Sequence, residues 1–216
     1  MAADLIESGL ADYKAALSAG DARAAHGVID GLIDAGASFE DLCEEVVRPA
    51  LYEIGESWAS GDVTIGDEHV ATAISDAILA CVGTFSNAQL EGQYRVLVCC
   101  TEGELHAVGA RMVAETFAAA EWSVQYLGAS MPAHAVASAV VERGADVLAL
   151  STTMAGHLPD VTRTIHAARE ARPGLRVVVG GQAYGGDEQR ARETGATLLH
   201  DGLRGLVDRV EESLPG

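Results

Sequence analysis

The hydrophobic period changes once along this chain, and that change divides it. From the N-terminus to about Phe85, apolar residues recur at helical spacing. Leu5, Leu10, Tyr13 and Leu17 make one stripe, Ala24, Val28 and Leu32 a second, and Leu42, Val46, Val47, Leu51 and Ile54 a third. Gly20-Asp21 and Gly36-Ala37-Ser38 supply turn and cap residues between the stripes, and Gly61-Asp62 comes before a fourth helix running through Asp67 to Val82. Residues 1–86 are expected to form a four- or five-helix bundle. From Tyr94 onward short apolar runs alternate with amphipathic stretches. Strands are expected at Tyr94 to Cys100, Trp122 to Leu127, Asp146 to Ser151, Leu175 to Gly180 and Thr197 to His200, with helices such as Val108 to Ala120 and Ala133 to Arg143 between them. Such alternation predicts an α/β domain over 93–216 whose parallel sheet is covered on both faces, most simply in the strand order 2-1-3-4-5. The polar stretch from Ser86 to Gln93 is the expected boundary.

Composition excludes several classes of function. No apolar run approaches the roughly 20 residues that cross a bilayer. The start, Met1 to Glu7, lacks the basic segment of a secretory signal, so a cytoplasmic protein without membrane contact is expected. The four cysteines, Cys43, Cys81, Cys99 and Cys100, sit in apolar runs and are expected to be reduced core residues. A net charge of −18, with 14 scattered Lys and Arg, opposes a phosphate backbone and argues against direct nucleic-acid binding.

The chemistry-bearing residues cluster where strands end. Glu104, His106 and Gly109 follow directly on the first expected strand, in the loop where an open parallel sheet binds ligands. A carboxylate two residues before a histidine can fix the imidazole tautomer, as a metal-ligating histidine requires. Ser151 and Thr153 end the third strand, and Gly180 and Gly181 end the fourth. Taken together, these residues resemble the D-x-H-x-x-G signature of cobalamin-binding domains, with Glu104 where that family usually has aspartate. The resemblance implies a flavodoxin-like, Rossmann-type domain in which His106 is the lower axial ligand of cobalt. It also implies that the loop residues Leu105 and Ala107 lie against the corrin. The nucleotide tail of the cofactor would be buried between Ser151, Thr153 and the glycine pair, with Tyr184 beside the same tunnel. Small side chains leave a slot there, and a hydroxyl can satisfy a buried ring nitrogen. His157, at the end of the third strand, is the other histidine placed to join the site.

In the helical half, Trp58 is followed after nine residues by Glu68-His69. This pattern resembles cobalamin-dependent photoreceptors of the CarH type, which carry a helical bundle before the cobalamin domain. By that resemblance residues 1–86 cap the upper face of the corrin, and Trp58, Glu68 and His69 line the pocket of the upper ligand, for which adenosylcobalamin is expected. Those photoreceptors commonly have histidine directly after the tryptophan, to bind cobalt after light removes the adenosyl group. Here the position is Ala59, which has no donor atom, and His69 is the candidate replacement. The resemblance extends to photocobilins, free-standing relatives without a DNA-binding module that hold biliverdin, a linear tetrapyrrole, beside the cobalamin. The expected function is therefore a non-enzymatic light sensor that signals through self-association or a regulatory protein partner. Two alternatives remain. One is a corrinoid shuttle for methyl transfer, whose usual loop carries a second aspartate where this chain has Ala107. The other is a module that only stores or senses cobalamin.

Overall fold

The computed structural model describes residues 2–83, 92–199 and 202–214. It divides into two compact units, Met1–Gly83 and Thr84–Gly216. Most of the expected boundary stretch, from Ser86 to Glu91, lies outside the described residues, as does His200. Among the described residues no helix is long and apolar enough to cross a membrane.

The first unit is helical. Helix α1 spans Ala2–Ser18, α2 Ala22–Asp34, α3 Phe39–Asp41, α4 Arg48–Ser60 and α5 Ile65–Val82. Side chains fix where helices begin: Asp21 accepts from the Ala24 amide, and Ser38 with Asp41 and Thr64 with Asp67 form reciprocal capping boxes. Gly61, at φ +87°, ends α4 in the left-handed conformation that favours glycine. Tyr13, Leu17, Ile29, Leu32, Leu42, Val46 and Leu79 fill the core. At its centre the buried Tyr13 hydroxyl donates to Ser75 Oγ at 2.9 Å, and Ser75 donates in turn to the Ala71 carbonyl.

The third stripe departs from the regular helix that its spacing predicts. Leu42–Val47, between α3 and α4, is a π-helical turn in which the Arg48 amide donates to the Cys43 carbonyl, one residue further back than in an α-helix. Pro49 follows and has no amide hydrogen to donate, so the ladder cannot run through it in the ordinary way. The wider turn keeps Leu42, Cys43, Val46 and Val47 all buried.

The second unit is the expected parallel sheet, in the order β2-β1-β3-β4-β5. Its strands are β1 Arg95–Thr101, β2 Ser123–Met131, β3 Val147–Ser151, β4 Arg176–Gly180 and β5 Thr197–Leu198. They alternate with α6 Val108–Ala119, α7 Ala133–Glu142, α8 Leu158–Ala171 and α9 Glu188–Glu193, and α10 Leu206–Glu211 follows β5. One face packs Leu97, Leu148, Val177 and Val179 against Val136, Val140, Val161 and Ile165. Phe117 and Trp122, with ring centroids 4.7 Å apart, are buried as well, and the Trp122 indole donates to Glu211 at 3.0 Å. The register pairs Cys100 with Ser151 and Ser151 with Gly180, so the ends of β1, β3 and β4 lie side by side.

β2 is longer than its hydrophobic run predicts, reaching Met131 instead of Leu127. Two register shifts against β1, at Val98/Cys99 and Cys99/Thr101, let it continue past the apolar segment. Gly128 and Ser130 take positive φ values in this extension, +77° and +51°.

Candidate cobalamin site

Glu104 is fully buried, and every polar contact it makes orders the loop after β1. Its Oε1 accepts from the His106 amide at 3.0 Å and from His106 Nδ1 at 2.5 Å. Its Oε2 accepts from the amides of Thr153 and Met154 at 2.8 and 2.9 Å. Burial alone pushes this carboxyl pKa up, but the bond from the His106 ring and those from the three amides outweigh it and hold the group down at about 2. An ionised carboxylate only accepts, so Nδ1 carries the hydrogen and the acceptor lone pair lies on Nε2. The imidazole is about 42% exposed while its carboxylate is enclosed, an arrangement suited to orienting a metal ligand.

The other residues expected here meet at the neighbouring strand ends. A Cβ built on Gly109, in the first turn of α6, would lie 3.5 Å from Ser151 Oγ. The nearest atoms to one built on Gly180, the register partner of Ser151, are those of Leu199 at 3.8 Å, so both glycines have ordinary clearance from their neighbours. Gly181 differs. At φ +103° it packs against backbone, and an added Cβ would overlap the Thr152 carbonyl, with the carbonyl carbon at 2.8 Å. The chain itself therefore requires glycine at 181, whatever ligand lies nearby. Thr153 contributes its amide to Glu104, and Ala107 precedes α6 with its carbonyl accepting from the Tyr126 hydroxyl at 3.2 Å. Tyr184, expected beside the tail tunnel, is 1% exposed and packs within the core of the sheet unit. Leu105 is 69% and Met154 45% exposed, two apolar side chains presented beside His106.

Several contributors escaped the sequence reading. Met154 supplies an amide to Glu104 from 50 residues away. Ser130 and Gly103 join β2 to the loop after β1 by a 3.1 Å hydrogen bond. His157 does lie here, in van der Waals range of Gly103 and 3.8 Å from Asp160. The bracketing of Ser130 by Gly128 and Pro132 was the one available sign that β2 ends in a shaped turn.

In the helical unit, Trp58 occupies the last turn of α4 and is 40% exposed, an unusual cost for so large an apolar ring. Glu68 and His69 occupy the first turn of α5, where Glu68 Oε2 meets His69 Nδ1 at 2.6 Å and Oε1 accepts from Thr72 at 2.8 Å. Here too a carboxylate anchored on one side orients an imidazole on the other, with His69 about 69% exposed.

A family model for the B12 binding domain matches residues 94–205, just over half of the chain, and a second B12 binding domain model matches residues 10–82. The chain belongs to the B12-binding family. Cobalamin is accordingly its ligand, and the donor set fits: one carboxylate-oriented imidazole, a small-residue slot next to Ser151 and Gly180, and exposed apolar side chains for a corrin face. Over 143 residues the chain is 34% identical to the HTH-type transcriptional repressor CarH of Myxococcus xanthus, covering 65% of this chain and 46% of the repressor. It is 30% identical to the repressor CarA of the same organism over 142 residues, 66% of this chain and 47% of CarA. The chain thus spans about half the length of these curated relatives. Among solved structures it resembles the monomethylamine corrinoid protein of Methanosarcina barkeri, with a TM-score of 0.81 at 13% identity over 96% of this chain and 99% of that one. A cobalamin-binding protein from Desulfitobacterium hafniense DCB-2 has a TM-score of 0.53 at 22% identity, over 95% and 98% of the two chains. These likenesses establish the fold.

Proposed function

We propose that this B12-binding protein is a light sensor that signals through protein contacts. The observation that carries the reading is the Trp58, Glu68 and His69 set, which matches the upper pocket of CarH-type photoreceptors in spacing and holds His69 in a fixed orientation. The identity with the repressor CarH supports it. Glu104 keeps the hydrogen of His106 on Nδ1, so that Nε2 would be free to hold the cobalt of bound cobalamin. Leu105 and Ala107 would lie against the corrin, and Ser151, Thr153 and Gly180 would receive the nucleotide tail. Trp58, Glu68 and His69 serve the upper ligand, with His69 taking the role that Ala59 cannot. Adenosylcobalamin supplies a cobalt–carbon bond that visible light breaks, and the exposed Trp58 ring is the group best suited to turn loss of the adenosyl group into altered contacts. The output is a change in self-association or in binding to a regulatory protein, with biliverdin as a second chromophore; alanine at position 59, where the photoreceptors have histidine, supports that second chromophore.

A second reading has its own support. The chain is nearly coextensive with the monomethylamine corrinoid protein, which favours a carrier that presents cobalt to a methyltransferase. One experiment separates the two. Protein loaded with adenosylcobalamin, with and without biliverdin, is illuminated and followed by absorption and elution volume. A light-dependent change in both supports the sensor. A photochemically inert holoprotein that passes methyl groups to a methyltransferase establishes the carrier.

A further inference from the structure

Ser130 lies outside every motif recognised in the sequence, yet it makes two hydrogen bonds to the axial loop. Its amide donates to the Glu104 carbonyl at 2.9 Å, and its Oγ accepts from the Gly103 amide at 3.1 Å. To do so it sits at φ +51°, a region that a non-glycine residue occupies at a cost and keeps only when its surroundings fix it. The two register shifts between β1 and β2 bring it there, by carrying β2 beyond the apolar run to pair Met131 with Thr101. Gly103 in turn lies close to the His157 ring. It has φ +82°, and a Cβ on it would lie 2.9 Å from the His157 ring. The Thr153 and Met154 amides meanwhile anchor the Glu104 carboxylate.

We infer that Ser130 is a positioning residue for the cobalt ligand: it fixes the Gly103-Glu104 backbone from the β2 side and so sets the direction in which His106 presents Nε2. The inference rests on His106 as the lower ligand. The Thr153 and Met154 amides act on the Glu104 side chain, whereas the two Ser130 bonds act on the Gly103-Glu104 backbone itself. A ligand constellation held from one side only would let the imidazole wander by distances that matter to a metal bond.

The test compares the wild-type chain with Ser130→Ala, which removes only the Oγ acceptor, and Ser130→Asn, which restores an acceptor oxygen and tolerates positive φ. His106→Ala serves as the control. Each is titrated with cobalamin and its visible spectrum recorded, and urea unfolding of the apoprotein is measured in parallel. Ser130→Ala should bind about 3- to 10-fold more weakly, the scale of one hydrogen bond. It should also show a mixed spectrum in which part of the cobalamin has lost histidine coordination, and Asn should restore both properties. A wild-type spectrum and affinity in Ser130→Ala would overturn the inference whatever happens to the urea midpoint, as would failure of Asn to rescue. If His106→Ala itself matches wild type, the axial assignment has failed, and the role of Ser130 falls with it.

Discussion

Glu104→Gln offers a sharp test of the axial loop, because the carboxylate is enclosed and accepts four hydrogen bonds. Folding lowers its pKa from 4.5 to about 2. At 1.36 kcal/mol per pH unit this corresponds to about 3 kcal/mol of stability. Because the folded value is the lower one, that stability is fully present above pH 4.5 and disappears as pH falls through about 2, with roughly half remaining at pH 3. A glutamine amide can accept at one oxygen only and turns N–H groups toward backbone N–H groups, so the substitution should cost a similar amount at neutral pH. The chain contains two tryptophans, so urea unfolding should be followed by fluorescence in a Trp58→Phe background, where Trp122 reports on the sheet unit alone. Glu104→Gln should lower the unfolding free energy by about 3 kcal/mol at pH 7 and by about half of that at pH 3. The same variant should weaken cobalamin by roughly 10- to 100-fold, the usual cost of removing the partner that orients a ligating histidine. A stability within about 0.5 kcal/mol of wild type at pH 7, or a difference that stays constant between pH 5 and pH 3, would refute the reasoning.

The glycines separate cofactor effects from folding effects. Gly109→Ala should leave the apoprotein as stable or up to about 1 kcal/mol more stable, since alanine is the better helix residue and its Cβ has ordinary clearance from Ser151. It should nevertheless lose at least about 10-fold in cobalamin affinity, because the methyl group enters the proposed tail slot; equal affinity by titration would remove Gly109 from the site. Gly181→Ala should destabilise the apoprotein by several kcal/mol, on the order of the larger single-residue effects, because both its φ and its clash with Thr152 are intrinsic to the chain. A normal urea midpoint would show that the backbone relaxes freely there. Trp58→Ala should cost roughly 1 to 3 kcal/mol, since the ring is 40% exposed and the rest of it is packed, while uncoupling any light-driven change in elution volume from the change in spectrum. A retained elution shift would reassign the coupling residue.

Much of the architecture could be read from the sequence because its causes are local and periodic. Stripes at helical spacing, short apolar runs and Gly or Asp breaks require only neighbours a few residues apart, and they led to the helical unit and the 2-1-3-4-5 sheet. The loop bearing Glu104 and His106 was legible for the same reason, since the carboxylate and the imidazole are two residues apart and bond directly. Other features depended on partners distant in sequence. The π turn at Leu42–Val47 answers to Pro49 and to four side chains that share one core, not to the stripe itself. The burial of Tyr184 came from packing against the sheet, which its place after the glycine pair does not encode. Gly181 was expected to make room for a ligand, and the fold adds a constraint of its own: a Cβ there would overlap Thr152, 29 residues earlier. Ser130, with its positive φ, acquired its role only when two register shifts slid β2 past β1. The sequence by itself determined which elements form and which residues stand at strand ends, because hydrophobic period and short-range hydrogen bonding act along the chain. Only the tertiary structure decided how the axial loop is held, because a buried carboxylate is satisfied by amides about 50 residues away, and no local pattern encodes which backbone will bring them.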